Sequence, residues 1–234
     1  MSGMLRRCGC AVVFGALVAM APALSTAQVP PSAAEAQAYV GLHQAAWRGD
    51  AAKVKALIAA GADVDARDAQ GRTPLQVATY AGQRDAITLL AKAGAKLDLL
   101  ENDRYDAVTI AAVADDPQTV SLLLSLGAKA GQTTSRYDGT ALIAAAHLGH
   151  DEVVRILIRA GAPLDHVNNL HWTALIESIV LGDGGVRHQR TMAALVDAGA
   201  NTQLADRQGN TPLQLAKARG YAAMVEKLKS AGAR

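Results

Sequence analysis

Short apolar runs with helical spacing recur along most of the chain, and each ends at the dipeptide Gly-Ala. Successive copies of this dipeptide lie 33, 33, 34, 38 and 33 residues apart. They begin at Gly61, Gly94, Gly127, Gly161, Gly199 and Gly232. A period of this length predicts repeated helical units, which bury their apolar faces by stacking on one another.

A second marker has the same period and predicts where the first helix of each unit begins. Its Thr or Asp can cap a helix N-terminus, and proline after it tolerates the first helical position. We therefore expect an inner helix such as 75–81, a turn at Gly82 and an outer helix that ends at Gly94. The markers are Thr73-Pro74-Leu75, Asp106-Ala107-Val108, Thr140-Ala141-Leu142, Thr173-Ala174-Leu175 and Thr211-Pro212-Leu213, with Val40-Gly41-Leu42 in the first unit.

The two ends of the array and its third unit have features of their own. Ser32-x-x-Glu35 reads as a capping box that opens a helix over the first unit. The last helix, 224–230, has a polar outer face suited to a terminal unit. In the third unit the turn glycine is replaced by Asp115, but Asp116 can cap the outer helix that follows.

The chain resembles the ankyrin-repeat family over residues 40–234, as six repeats. The stretches GRTPLQVATYAGQRDAITLLAKAGAKLD and GNTPLQLAKARGYAAMVEKLKSAGA follow the family pattern. Repeat five, with HWTALIESIVLGDGGVRHQR, is also similar to bacterial ankyrin proteins with a Gly-rich loop. The resemblance implies an all-α solenoid of stacked helix-turn-helix units with short β-hairpin-like loops. It also implies binding of other proteins through a concave face and the hairpin tips.

Residues 1–27 have the layout of a cleavable signal peptide. Arg6 and Arg7 precede an apolar run over 11–21, and small residues at 25–27 offer a cleavage site. A retained anchor is the alternative, but the run is shorter than the ~20 residues that a membrane span needs. We predict that residues 28–39 are a linker with the start of the capping helix, and that no membrane insertion follows cleavage. Export places the protein in the periplasm of a Gram-negative source and outside the cell otherwise.

The composition of the mature chain limits its partners. Cys8 and Cys10 are the two cysteines of the sequence, so cleavage leaves neither a thiol nor a disulfide. Losing Arg6 and Arg7 reduces the 23 basic side chains to 21, which equals the 21 acidic ones. A neutral chain lacks the basic footprint of a nucleic-acid-binding protein. We expect no cofactor, no nucleic acid and a monomer.

Catalytic and metal-binding residues are sparse. Because Gly-x-Ser-x-Gly is absent, no nucleophile elbow is indicated, and we predict that the protein is not an enzyme. A ligand- or metal-sensing module is the alternative, in which His147, His150, Asp183 and His188 would supply ligands. Against it, a histidine after the turn glycine commonly bonds to backbone groups.

Two columns of aligned residues predict a protein-binding surface. Residues at the ends of the inner helices are apolar or aromatic in the middle repeats, which indicates an exposed stripe or burial between repeats. We favour the stripe, and assign to it Trp47, Tyr80, Val113, His147, Leu148, Val180 and Leu181. Arginine and aromatic residues, typical of interface hot spots, recur near the hairpin tips. These are Arg72, Tyr105, Tyr137 and Trp172.

The longest spacing contains an insertion at residues 182–190. Its sequence, GDGGVRHQR, adds five residues between the two helices of repeat five. The glycines suggest a flexible loop or a close approach of the backbone, and Arg187 and His188 add positive charge. We predict a surface loop beside the groove that influences which partner binds.

Overall fold

The computed structural model describes residues 29–234, and the predicted signal peptide lies outside them. The helices within this range alternate between inner and outer positions after a short first helix. They are α1 Ala33–Ala38, α2 Gly41–Arg48, α3 Ala51–Ala59, α4 Pro74–Tyr80, α5 Arg84–Lys92, α6 Ala107–Val113, α7 Pro117–Ser125, α8 Ala141–Leu148, α9 Asp151–Arg159, α10 Ala174–Val180, α11 Val186–Asp197, α12 Pro212–Ala218 and α13 Ala222–Ser230.

Side chains cap the inner helices as the sequence predicts. The Thr73 hydroxyl accepts a hydrogen bond from the backbone N–H of Gln76, and Asp106 accepts one from Thr109 at 2.7 Å. Thr140, Thr173 and Thr211 cap α8, α10 and α12 in the same way. The predicted capping box is confirmed at α1, where the Ser32 hydroxyl and the Glu35 carboxylate each accept a backbone hydrogen bond from the other residue.

The helices pack in two layers. The inner helices α2, α4, α6, α8, α10 and α12 contact one another in order, and the outer helices α3, α5, α7, α9, α11 and α13 do the same. The apolar core lies between the layers and continues from repeat to repeat. Leu75, Leu142 and Leu175 follow the caps of their inner helices and are fully buried. The stacked units thus bury faces that such short helices could not bury alone.

Hairpin loops connect each outer helix to the next inner helix. Neighbouring hairpins pair through their backbones, as in the bond from Asn102 N–H to the Gln70 carbonyl at 3.0 Å and from Ser135 N–H to the Arg104 carbonyl at 2.8 Å. A single isolated bridge, Thr134 with Gly139, is the β-structure within the described residues. The hairpin tips lie at the N-terminal ends of the inner helices, and the helix-to-helix turns lie at the other ends.

Repeat three accommodates its departure from the pattern as predicted. Asp115 takes the left-handed conformation of the missing turn glycine, with φ of 54°. The Asp116 carboxylate then caps α7 by accepting from the Thr119 N–H at 3.0 Å, and Pro117 occupies the first helical position.

Repeat five shows a close approach of the backbone, one of the two interpretations of its glycines. The insertion forms a four-residue turn, and its remaining residues extend α11 to 12 residues, against nine in α9. Tyr221 donates a hydrogen bond from its hydroxyl to the Gly182 carbonyl at 2.9 Å. A Cβ at Gly184 would lie 2.5 Å from the Tyr221 ring, so close packing requires glycine there.

Candidate partner-binding site

A cavity of about 280 Å³ opens on the surface formed by the inner helices and the hairpin loops. We call this surface the inner face. The cavity spans repeats three to five, between α6, α8 and the hairpins beside them. Five residues selected from the sequence line it, namely Tyr105, Val113, Tyr137, His147 and Leu148. The two predicted columns therefore meet at one place.

Ion pairs between adjacent hairpins support the two tyrosines of the cavity. Arg104, which precedes Tyr105, contacts the Asp138 carboxylate at 3.3 Å. Arg136, which precedes Tyr137, contacts the Asp103 carboxylate at 2.8 Å. The exposed pairs add little to stability, but they connect the hairpins of repeats three and four in both directions.

Glu177 of α10 places a carboxylate in the wall of the cavity. Its side chain is 6% exposed. Asn168 donates a hydrogen bond from Nδ2 to Glu177 Oε1 at 2.9 Å, and His147 Nδ1 lies 3.3 Å from Oε2. The Asn168 Oδ1 accepts from the backbone N–H groups of Leu170 and Trp172, so this side chain fixes both the hairpin and Glu177.

Sequence reasoning missed Glu177 as a site residue, although its column in the repeats contains a signal. The equivalent residues are Gln44, Val77, Ile110, Ala144 and Leu215, so Glu177 is the one acid at this position of the inner helix. Small Ala144, in the preceding repeat, leaves the space that the cavity occupies. Asn168, whose Nδ2 bonds to Glu177, was not selected from the sequence either.

The other predicted stripe residues lie outside the cavity. Tyr80, Val180 and Leu181 are half-buried at the ends of α4 and α10. Trp47, also half-buried, lies at the end of α2 with its ring 6.3 Å from the ring of Tyr39. The stripe is therefore half-buried along its length, and the part of it that lines the cavity lies on repeats three and four.

The hairpin of repeat five has an apolar tip. Val167 and Leu170 are 44% and 38% exposed, which is unusual for large apolar residues of this chain. Trp172 follows them and is half-buried. Asn168 of the same hairpin lines the cavity, whereas the side chains of this apolar tip do not.

Arg72 is not available at the surface, contrary to expectation. It is 2% exposed. Its guanidinium donates to Asp68 Oδ2 and Glu35 Oε1, both at 2.7 Å, and lies 5.9 Å from the centre of the Tyr39 ring. Burial acts to raise the pKa of Asp68, but the hydrogen bonds from Arg72 outweigh it and hold that pKa below its usual value. Arg72 joins α1 to the hairpin between α3 and α4.

Arg187 and His188 are also engaged within the chain. Both belong to the first turn of α11, at the ends of the inner helices opposite the hairpin tips. Arg187 donates to the Asp115 carboxylate at 2.6 Å. The His188 ring nitrogens contact Asp183 Oδ1 at 2.8 Å and the His147 carbonyl at 3.0 Å. These contacts give the insertion a bracing role between repeats.

The four residues of the sensing alternative do not converge. His150 Nδ1 contacts the Ala112 carbonyl at 2.8 Å, which is the expected backbone bond, whereas His147 faces Glu177. Within residues 29–234, no three His, Cys, Asp or Glu side chains are grouped so as to hold a metal ion. Across the same range, every helix falls short of the length and apolarity that a membrane span requires.

The helical layers, the capped inner helices and the paired hairpins define a stacked helix-turn-helix repeat protein with a recessed site on its inner face. The family model for ankyrin repeats (3 copies) matches residues 42–134 and 108–201. The chain belongs to the ankyrin-repeat family. Members of this family are generally non-enzymatic modules that bind other proteins.

Individual relatives agree with this assignment. The chain is 37% identical over 100 residues to the ankyrin repeat protein YahD of Escherichia coli K12, across 42% of this chain and 50% of YahD, so it spans about half the length of that relative. An ankyrin repeat domain from Acinetobacter baumannii AYE is 43% identical and superposes with a TM-score of 0.78, covering 82% of this chain and 98% of the other.

A third relative comes from a protein complex. It belongs to the structure of a predatory endopeptidase from Bdellovibrio bacteriovorus in complex with an immunity protein. The identity is 26% and the TM-score 0.69, with 82% of this chain and 98% of that chain covered.

Proposed function

We propose that this protein is a non-enzymatic scaffold that binds a partner protein through its inner face, at the cavity and the hairpin tips of repeats three to five. The observation that carries the proposal is the meeting of Tyr105, Tyr137 and Leu148 around a recess of about 280 Å³. Aromatic residues in a recess with a polar rim are typical of binding hot spots. The exposed Val167 and Leu170 extend the apolar surface beside it.

The partner should lie in the same compartment as the exported protein, and the predicted signal peptide determines that compartment. Residues 1–27 support export, to the periplasm in a Gram-negative source and to the exterior otherwise. The Bdellovibrio complex of an endopeptidase with an immunity protein offers a precedent for binding between proteins. We infer from it that the partner of this chain is also a protein.

Site-specific cross-linking in the source cells tests the scaffold. A photoreactive phenylalanine analogue at Tyr137 should capture a discrete protein, because that side chain lines the cavity. The matched control places the same analogue at Glu152, an exposed residue on the outer helix of the same repeat. A Trp172→Ala change beside the cavity should weaken the capture at Tyr137. The same adducts at both sites, or adducts at Glu152 alone, would contradict the proposal.

Export has its own experiment. Residues 1–40 fused to an alkaline phosphatase, which becomes active only in an oxidising compartment, should give activity. Replacing Arg6 and Arg7 by Glu should reduce it. An inactive fusion that accumulates in the cytoplasm would refute export without affecting the binding proposal.

A further inference from the structure

The cavity has one acidic side chain, Glu177, and its basic side chain is His147. Among the described residues that line it, Glu177 supplies the carboxylate, and no lysine or arginine is present. We propose that the cavity binds the lysine or arginine side chain of a partner segment, with Glu177 as its counter-ion. This inference rests on the proposed protein-binding function and names the chemistry of the side chain that enters.

The surroundings of Glu177 leave its charge without a strong partner. Asn168 is a neutral donor, and His147 Nδ1 lies 3.3 Å away, which is long for a charge-assisted hydrogen bond. A carboxylate that is 6% exposed has lost most of its hydration, and a cation placed against it compensates that loss. An anionic side chain would instead meet repulsion from the same carboxylate.

The walls of the cavity suit the rest of a basic side chain. Val113, Ile143 and Leu148 present aliphatic surface that can cover its methylene stem. Tyr105 and Tyr137 present aromatic rings, whose faces attract cations. A neutral apolar side chain could use these walls as well, but it would leave Glu177 uncompensated.

The cavity is large enough to admit one side chain of a partner. Its volume of about 280 Å³ lies near the lower end of the ~300–1,000 Å³ typical of small-molecule sites. The arginines of the neighbouring hairpins do not occupy it, because Arg104 and Arg136 pair with Asp138 and Asp103 instead. Neither of these arginines therefore supplies a counter-ion to Glu177.

Methyl NMR of the purified chain lacking residues 1–27 tests the charge preference. The probes are n-butylguanidinium, with pentanoate and n-pentanol as anionic and neutral controls of similar size. The methyl groups of Ile143, Val113 and Leu148 should shift saturably with the cation, and about tenfold less affinity is expected for either control. Equal affinities for all three probes, or no saturable shift, would overturn the proposal.

Three variants test which residues cause the preference for the cationic probe. Glu177→Gln keeps an acceptor for Asn168 but removes the charge, so it should abolish the preference for the cation. Tyr137→Leu should weaken cation binding severalfold while pentanol binding remains. Ala144→Leu should fill the cavity and block all three probes, and Leu215 in repeat six shows that leucine suits this helix position. If Glu177→Gln does not fold, the other two variants still decide.

The cross-linked partner gives the second arm. A lysine or arginine in its captured segment, whose change to Gln lowers capture at Tyr137 at least about tenfold, would support the cation site. Capture that survives the loss of every basic residue in that segment would refute it, while the protein-binding function would stand. Selective binding of n-butylguanidinium without any captured protein would support the cation site and count against the scaffold.

Discussion

Replacing Arg72 by Met should destabilise the N-terminal end of the array strongly. The substitution preserves the length of the side chain but removes the guanidinium from Asp68 and Glu35. After the substitution, the side-chain hydrogen bond that Asp68 still accepts comes from the Tyr39 hydroxyl at 2.9 Å. The consequence is a buried carboxylate that has lost its cation.

The size of the expected loss in the free energy of unfolding follows from the solvent exposure of Asp68 and Glu35. Removing one member of a buried ion pair costs about 3–5 kcal/mol, and Asp68, which is 9% exposed, meets this condition. Glu35 is 31% exposed, so water can replace its lost partner and its share is about 0–1 kcal/mol. We expect the free energy of unfolding to fall by about 3 kcal/mol for Arg72→Met.

Arg84→Met is the matched control. Arg84 pairs with Asp116 at 2.8 Å, nearly the distance of the Arg72 pairs, but its side chain is 44% exposed. An exposed pair of this kind contributes about 0–1 kcal/mol. Comparing the two variants therefore separates the effect of burying an ion pair on the free energy of unfolding from the effect of forming an ion pair at all.

Urea unfolding measures both losses. Circular dichroism reports the unfolding of the whole array. Trp47 fluorescence in a Trp172→Phe background reports the unfolding of the first repeats, because the Trp47 ring lies 6.3 Å from the Tyr39 ring. Adding Asp68→Asn to Arg72→Met should restore part of the stability, since it removes the stranded charge. A loss for Arg72→Met no larger than that for Arg84→Met would refute the reasoning, as would a double variant that is less stable still.

Three further predictions concern the capping box, the insertion and a buried hydroxyl. Hydrogen bonds from Ser32 to the Glu35 carboxylate, aided by an arginine, lower the pKa of Glu35 from 4.5 to about 2. The ionised Glu35 carboxylate therefore stabilises the fold fully above pH 4.5, and this stabilisation is lost as the pH falls through about 2. The NMR chemical shift of the Glu35 carboxyl carbon should titrate at about pH 2. Glu35→Gln should remove the corresponding loss of stability from the acid unfolding curve. His188→Ala leaves the His147 carbonyl without its 3.0 Å contact, so thermal unfolding should show a loss of about 1–3 kcal/mol; an unchanged melting temperature would contradict the bracing role. Thr191 buries a hydroxyl that has no hydrogen-bond partner within residues 29–234, so Thr191→Val should stabilise the protein by about 1 kcal/mol in urea unfolding, and destabilisation would be the contrary result.

Features decided by neighbours in sequence were predictable. The caps at Thr73, Asp106 and Thr140 accept hydrogen bonds from backbone groups three residues away, so a short stretch of sequence suffices to recognise them. The same holds for the replacement of a turn glycine by Asp115, because aspartate tolerates the left-handed conformation.

The candidate site was predictable in part. Tyr105 and Leu148 were identified from aligned columns, since the repeat period places equivalent residues on one face, and Tyr137 was identified from its position near the hairpin column. The columns could not show that Arg72 turns inward to Asp68, because that depends on the contact between α1 and the hairpin that joins α3 to α4. They also did not reveal that Asn168 holds Glu177, a contact between a hairpin and the helix that follows it.

By itself, the sequence determined the family, the six repeats, the order of the helices and their caps, because these follow from a period and from hydrogen bonds within a few residues. Tertiary structure alone decided which charged side chains are buried and which contact one another. The two departures from the period show this most clearly. Asp115 of repeat three and Arg187 of repeat five lie 72 positions apart and form an ion pair at 2.6 Å. Stacking brings residues two repeats apart to within reach, and only the packed array determines the direction of each side chain.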